Sequence, residues 1–302
     1  MKILVTGSDG QLGSDLVPLL AREGHDAAGA DITGSGASSL DITDREKTIS
    51  SVVRLRPEVI INCAAYTAVD RAEKEIDAAL AVNRDGPANL ADAAGEIQAL
   101  LIHISTDFVF NGSRNLPYDE SQAADPLGVY GKTKLLGEQE VAKRLPGHII
   151  VRTSWLYGTH GHNFVKTILR HAGEREALRV VYDQAGTPTS SFDLAGALTV
   201  MVNRYASGSA PYGTYHYSNE GVASWYDFAV RIIEGAGRLG AKLRCARVEP
   251  ILTGEYPTPA KRPAYSVLDK KKVKETFGVS IPHWQDSLEK TLNELYGGGK
   301  VA

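Results

Sequence analysis

Tyr130 and Lys134, four residues apart in the run Val129-Tyr130-Gly131-Lys132-Thr133-Lys134, are the pair in this chain best suited to proton chemistry. On a helix that spacing places phenol and ammonium on one face. A cation held beside a phenol favours phenolate and lowers a pKa that is about 10 when unperturbed, so the expectation is a tyrosine that exchanges a proton near neutral pH. Thr106 closes the apolar run Leu101-Ile102-His103-Ile104-Ser105-Thr106, 24 residues earlier, and can aim a hydroxyl at the same carbonyl oxygen. Spacing alone is a weak signal, since Tyr296 and Lys300 repeat it in a glycine tail, Gly297-Gly298-Gly299, expected to fray. The pair acquires meaning only if other elements build a site for a redox cofactor beside it.

The N-terminus supplies such elements. Lys2-Ile3-Leu4-Val5-Thr6 reads as a short strand running into Gly7-Ser8-Asp9-Gly10-Gln11-Leu12-Gly13 and then into a helical pattern, Leu16, Leu19, Leu20. In this G-x-x-G-x-x-G turn Gly7 permits the tight bend, Gly10 lets backbone approach a pyrophosphate, and Gly13 allows close helix-strand packing. The helix start offers free N–H groups to phosphates. About 20 residues on, the strand Ala27-Ala28-Gly29-Ala30 ends at Asp31, whose carboxylate suits ribose hydroxyls and repels a 2′-phosphate. Strand-like runs at Ile3-Val5, Ala27-Ala30, Val59-Ile61, Leu100-Ser105 and Ile149-Val151 alternate with helices beginning near Gln11, Asp44, Ala79 and Tyr130. That alternation predicts an α/β fold with a Rossmann-like, doubly wound parallel sheet. Ligands bind beyond the carboxyl ends of such strands, where Gly7, Asp31, Ala64, Ala65 and Thr106 fall. After Trp155 shorter helices, near Asn163, Asp193, Trp225 and Gln285, alternate with Pro/Gly loops. The expected division is a dinucleotide-binding domain over 1–155, to which later segments can return, and a smaller, mainly substrate-binding C-terminal lobe over 156–302.

In this order, glycine turn, strand-end Thr and Tyr/Lys pair resemble the extended short-chain dehydrogenase/reductase family. Asn62-Cys63-Ala64-Ala65-Tyr66-Thr67-Ala68-Val69-Asp70, Ser105-Thr106-Asp107-Phe108-Val109-Phe110, Arg152-Thr153-Ser154-Trp155-Leu156-Tyr157-Gly158 and Tyr256-Pro257-Thr258-Pro259-Ala260-Lys261-Arg262-Pro263 look like successive signatures of its dTDP-4-dehydrorhamnose reductase branch. The resemblance implies reduction of the C4 ketone of a dTDP-4-keto-6-deoxy-L-sugar by NADPH or NADH. Tyr130 would be the proton donor, Lys134 its partner and the holder of the nicotinamide ribose, and Thr106 the hydroxyl that orients the carbonyl. It further implies cofactor contacts from Gly7, Gly10, Gln11, Leu12, Gly13, Asp31, Asp41, Ile42, Ala64, Ala65, Tyr66, Tyr130 and Lys134. Sugar-nucleotide contacts would come from Thr106, Asp107, Trp155, Lys261 and Arg262, with Trp155 offering an aromatic plane and Arg262 a guanidinium for the diphosphate. Some relatives carry a magnesium site that links a dimer through carboxylates. Asp15 matches one such position, but Ser190-Ser191-Phe192 lacks an acid, so this sequence does not support magnesium, and the chain is expected to be a monomer or a homodimer.

The bulk of the 302 residues is ordinary: 43% hydrophobic, 23% charged and a net charge of -3. This leaves no electrostatic footprint for nucleic acid or an anionic membrane. Two cysteines, Cys63 and Cys245, are too few for a disulfide framework or a Cys-rich metal site, and His160 and His162 lack partners at ligand spacing, so no catalytic metal is expected. With no signal-peptide core and no run of about 20 apolar residues, the expectation is a cytoplasmic protein. Two other functions fit the same scaffold. A 4-epimerase or 4,6-dehydratase would share Thr, Tyr and Lys, but dehydratases place Glu where this chain has Phe108. A non-catalytic regulatory subunit, like the β subunit of methionine adenosyltransferase, would bind nicotinamide without turnover.

Overall fold

The computed structural model describes residues 1–33, 39–209 and 211–296, so the glycine tail lies outside the described residues. Its centre is a six-stranded sheet whose pairings are all parallel. The strands are β1 (Lys2–Thr6), β2 (Asp26–Ala30), β3 (Val59–Asn62), β4 (Leu100–Thr106), β5 (His148–Thr153) and β6 (Gly213–His216). In space they run β6-β5-β4-β3-β1-β2. Each of the five strand-like runs read from the sequence is a strand, to within two residues at either end. The near-continuous Ile, Leu and Val runs of β1, β3, β4 and β5 fit a sheet covered on both faces.

On one face α1 (Gln11–Arg22) and the later helix Ser191–Ala206 enclose a core with Ile3, Val5, Ile61 and Ile102. On the other face, Leu4, Ile60 and Leu101 pack with Val52, Leu90 and Val141, from helices Arg45–Leu55, Gly86–Ile97 and Val129–Arg144. Residues after 155 therefore return to the sheet twice, once as a covering helix and once as β6. A second core gathers Tyr157, Val165, Phe228, Ile232, Trp284 and Leu288, from helices Phe164–Glu174, Trp225–Arg238 and Trp284–Tyr296. Strand order reverses between β1 and β3, which opens a crevice beyond their carboxyl ends.

Candidate active site

The glycine turn closes β1 onto this crevice. Gly7 has a left-handed φ of +71°, and a side chain there would meet the Ala64 amide nitrogen beyond β3 at 2.5 Å. A side chain on Gly13 would strike the Ser8 backbone at 2.5 Å, so the helix can lie against the turn only because this residue is bare. Gly10 is exposed and forms the N-cap of α1 with no side-chain cap, which leaves the first N–H groups of the helix free to face a ligand. Leu12 is buried in the core, so only its backbone faces that end, while Gln11 accepts a bond from Asn163 at 3.0 Å.

Asp31 turns back to the same loop, accepting from the Asp9 amide at 3.1 Å. Asp41 holds its own turn through the Thr43 amide at 2.9 Å and hydroxyl at 2.7 Å, and Ile42 is packed in the core. Past β3, the Tyr66 amide donates to Asn83 Oδ1 at 2.9 Å, and Asn83 Nδ2 reaches the Thr133 hydroxyl at 3.1 Å. A π-helical turn, Ala81–Asp85, carries Asn83 and ties the Ala64–Ala65–Tyr66 loop to the helix of Tyr130.

Tyr130 is the second residue of the Val129–Arg144 helix, whose first amide donates to Glu73 at 2.8 Å. The phenol ring meets Phe108 edge to face, with centroids 5.5 Å apart. This closeness depends on Gly131, where a side-chain carbon would lie 2.9 Å from the Phe108 carbonyl carbon and closer still to its oxygen. Thr106 ends β4 and its hydroxyl accepts from the Phe108 amide at 3.1 Å, so it caps the Asp107–Val109 turn while lying beside the phenol.

Electrostatics differ from the spacing-based expectation. Burial pushes the Tyr130 phenol up to about 12, Thr106 pulls it down and Asp107 pushes it further up, so Lys134 does not lower it. Lys134 is itself buried, its Nζ donating to the Ile104 carbonyl at 2.6 Å, and burial pulls it down to about 8. Desolvation outweighs the cation because the ammonium is spent on a backbone oxygen. At neutral pH the phenol therefore keeps its proton. Beside it, Asp107 is 1% exposed, and its Oδ2 has no hydrogen-bond partner among the described residues. Burial raises this carboxyl to about 6, against the pull of Ser266 and Thr106.

On the substrate side, Trp155 follows β5 with a left-handed φ of 47°, an uncommon backbone state for a bulky residue. One face of its indole is stacked on Trp225 at 3.5 Å, and Gly186 crowds its edge, so only the remaining surface can meet a sugar. Trp225 is fixed in turn by Gln184 at 3.1 Å. Lys261 is exposed, and Arg262 is engaged by its own surroundings in the unliganded site. Both its terminal nitrogens bond the Asp70 carboxylate, at 3.1 and 2.8 Å, and one also bonds Thr258, so it staples its own loop to the helix Val69–Ala72. Asp15 accepts from the Ser191 hydroxyl at 2.5 Å, and no group of three His, Cys, Asp or Glu able to hold a metal occurs among the described residues.

Sequence reasoning missed several residues that hold these groups in place. Glu138 and Arg152 form a buried bidentate pair at 2.6 and 2.9 Å, and Ser105 donates to the same carboxylate at 2.5 Å. The Glu138 position, four beyond Lys134 on the same helix, was the one available signal. Asn62, His103, Asn83 and Ser266 come from separate segments, and no local pattern joins them.

Several known dTDP-4-dehydrorhamnose reductases are similar to this chain over nearly its whole length. A family model described as "RmlD substrate binding domain" matches residues 1–296. A dTDP-4-dehydrorhamnose reductase of Aggregatibacter actinomycetemcomitans is 42% identical over 95% of this chain and 97% of its own. A crystal structure of a dTDP-4-dehydrorhamnose reductase from Clostridium acetobutylicum superposes with a TM-score of 0.89 at 41% identity, covering 98% of this chain and 99% of that one. Another, from Bacillus anthracis in complex with NADP, gives 0.88 at 39% identity, with 97% and 99% covered.

Proposed function

The chain belongs to the RmlD substrate-binding-domain family, and from that premise we infer that it catalyses NAD(P)H-dependent reduction of the C4 ketone of dTDP-4-dehydro-β-L-rhamnose to dTDP-β-L-rhamnose, a step of nucleotide-sugar and cell-surface polysaccharide synthesis. The observation that carries the chemistry is the placement of the Tyr130 phenol beside Thr106 at the end of β4, on the rim of the crevice that the glycine turn opens.

The residues present suit a dinucleotide. The uncapped start of α1 at Gly10 to Gly13 would hold the diphosphate, Asp31 the adenosine ribose, the backbone of Asp41, Ile42 and Ala64 to Tyr66 the adenine side, and Lys134 the nicotinamide ribose. When bound, the reduced nicotinamide supplies the hydride. Tyr130 donates its proton to the oxygen that was the ketone. A pKa raised by burial keeps that proton in place until the alkoxide, a far stronger base, develops. Thr106, whose hydroxyl donates to Asp107 Oδ1 at 3.1 Å in the unliganded site, would turn that hydrogen to the same oxygen and orient it. The unpartnered Oδ2 of Asp107 would accept from a sugar hydroxyl, and the free part of the Trp155 indole would meet the 6-methyl side.

Residues 1–155 would serve the dinucleotide and most of 156–302 the sugar. Asp31 favours a free ribose diol, so the cofactor choice would include NADH. Both cysteines are free, which suits work in the cytoplasm. The test is consumption of reduced nicotinamide by the purified protein. One equivalent oxidised per dTDP-4-dehydro-L-rhamnose is the expected result. Conversion without net oxidation would indicate an epimerase that recycles its cofactor, and no conversion, together with co-purification of a large subunit, a regulatory role.

A further inference from the structure

A row of buried polar side chains crosses three strands and ends against Lys134. Thr6, Asn62 and His103 are register partners on β1, β3 and β4, and none is more than 1% exposed. Their bonds fix each group's protonation. The Ala64 backbone amide, which can only donate, reaches Asn62 Oδ1 at 3.1 Å, and the Thr6 hydroxyl donates to the same oxygen at 2.8 Å. The other end of the amide is thus its NH2, and it donates to His103 Nδ1 at 3.0 Å. Nδ1 carries no hydrogen, so the neutral ring holds its proton on Nε2. Nε2 lies 3.5 Å from Lys134 Nζ.

Two donors therefore face each other. We propose that His103 is a positioning residue for Lys134: with one ammonium hydrogen on the Ile104 carbonyl and the inward direction closed by the His103 Nε2–H, the other two hydrogens are directed into the crevice, toward Tyr130 and the nicotinamide ribose. This rests on the reading of Lys134 given above. The other groups around the ammonium leave that direction open. Tyr130 is one turn back on its own helix and Glu138 one turn on, already held by Arg152 of β5 and Ser105 of β4, while Cys63 stands just past β3 as a thiol that burial pushes up to about 12. Burial also lowers the His103 pKa well below its usual value, so the ring is neutral whenever the enzyme works. A fixed N–H facing an amine disfavours its protonated form, which acts in the same direction as the burial that brings Lys134 down to about 8.

Two variants separate direction from packing. His103→Asn keeps an oxygen near the Nδ1 position for Asn62 but leaves nothing facing Lys134, and His103→Gln returns an amide N–H near the Nε2 position. Nitrogen and carbon NMR on the cofactor-free protein should show wild-type His103 protonated at Nε2 alone from about pH 5 to pH 9. The Lys134 titration midpoint should rise by about half a pH unit or more in His103→Asn and return toward wild type in His103→Gln. In turnover, kcat should fall about fivefold or more in His103→Asn with the KM for the sugar nucleotide nearly unchanged, and the alkaline limb of kcat/KM should move up with Lys134. An unmoved Lys134 midpoint, or losses that track thermal stability and are not restored by Gln, would overturn the proposal. Should wild-type protein oxidise no nicotinamide with this sugar, the functional reading fails, and the NMR titrations still decide the role of His103.

Discussion

Replacing Gly131 by alanine tests whether the start of the catalytic helix is set by its contact with the end of β4. The added methyl would sit 2.9 Å from the Phe108 carbonyl carbon, where ordinary contact begins near 3.4 Å, and its oxygen is closer still. That neighbour is backbone, held by the Thr106 cap, so the helix must yield by roughly 1 Å. A shift of that size between Tyr130 and Thr106 is expected to lower kcat about a hundredfold, equivalent to about 2.7 kcal/mol. Stability should change less. Overpacking costs about 1 to 3 kcal/mol, while Gly→Ala inside a helix returns about 1 kcal/mol. Nicotinamide affinity, anchored mainly at the Gly7–Gly13 turn but also at Lys134 on the displaced helix, should fall by less than kcat, by about tenfold at most. Steady-state kinetics, a cofactor titration and thermal unfolding of the one variant measure all three. A kcat within twofold of wild type would show that the contact does not position the phenol.

Tyr130→Phe should reduce turnover by at least about a hundredfold, with a smaller effect on sugar-nucleotide binding, and near wild-type rates would remove it as proton donor. Trp155→Ala should weaken sugar binding by about 1 to 3 kcal/mol and also lower the melting temperature, because the indole is stacked on Trp225, while reduced-nicotinamide affinity holds. An unchanged sugar affinity with a lower melting temperature would leave Trp155 a packing residue only. Asp107 is raised in the folded state from 3.8 to about 6, so its contribution to stability is fully present below its unfolded pKa and is lost as pH rises through about 6. Chemical unfolding of Asp107→Asn should show a gain over wild type at pH 8 of up to about 3 kcal/mol that disappears near pH 4, and a pH-independent difference would contradict the buried carboxylate.

The fold was legible because a parallel sheet writes itself locally. β1, β3, β4 and β5 each contain a short contiguous run of Ile, Leu and Val and β2 a run of small residues, and Gly7 and Gly13 mark a turn whose geometry nothing but glycine accepts. β6 was not legible. Its four residues, Gly213–His216, have no apolar run of their own and form a strand only because the edge of β5 is there to pair with. The placement of Tyr130 and Lys134 on one helix and of Thr106 at a strand end was readable from spacing, but the sign of the Tyr130 shift was not, since it follows from burial and from the Ile104 carbonyl that holds Lys134. The Arg262–Asp70 pair was hidden for a related reason: its two members are 192 positions apart in sequence.

The return of the chain to the sheet as β6 sets a schedule for synthesis. β5 is complete at Thr153, but the strand that pairs with its outer edge does not begin until Gly213, 60 residues later. At about 5 to 20 residues per second a ribosome needs roughly 3 to 12 s to cover that distance. For those seconds the nascent polypeptide presents a finished apolar strand with one row of backbone groups unpaired, the kind of edge on which two copies can zip together. The Ser191–Ala206 helix emerges inside the same interval, so the adjoining core face is open for part of it as well. Slower translation between codons 153 and 216 is therefore expected to lower the folded yield without any change in the stability of the finished enzyme.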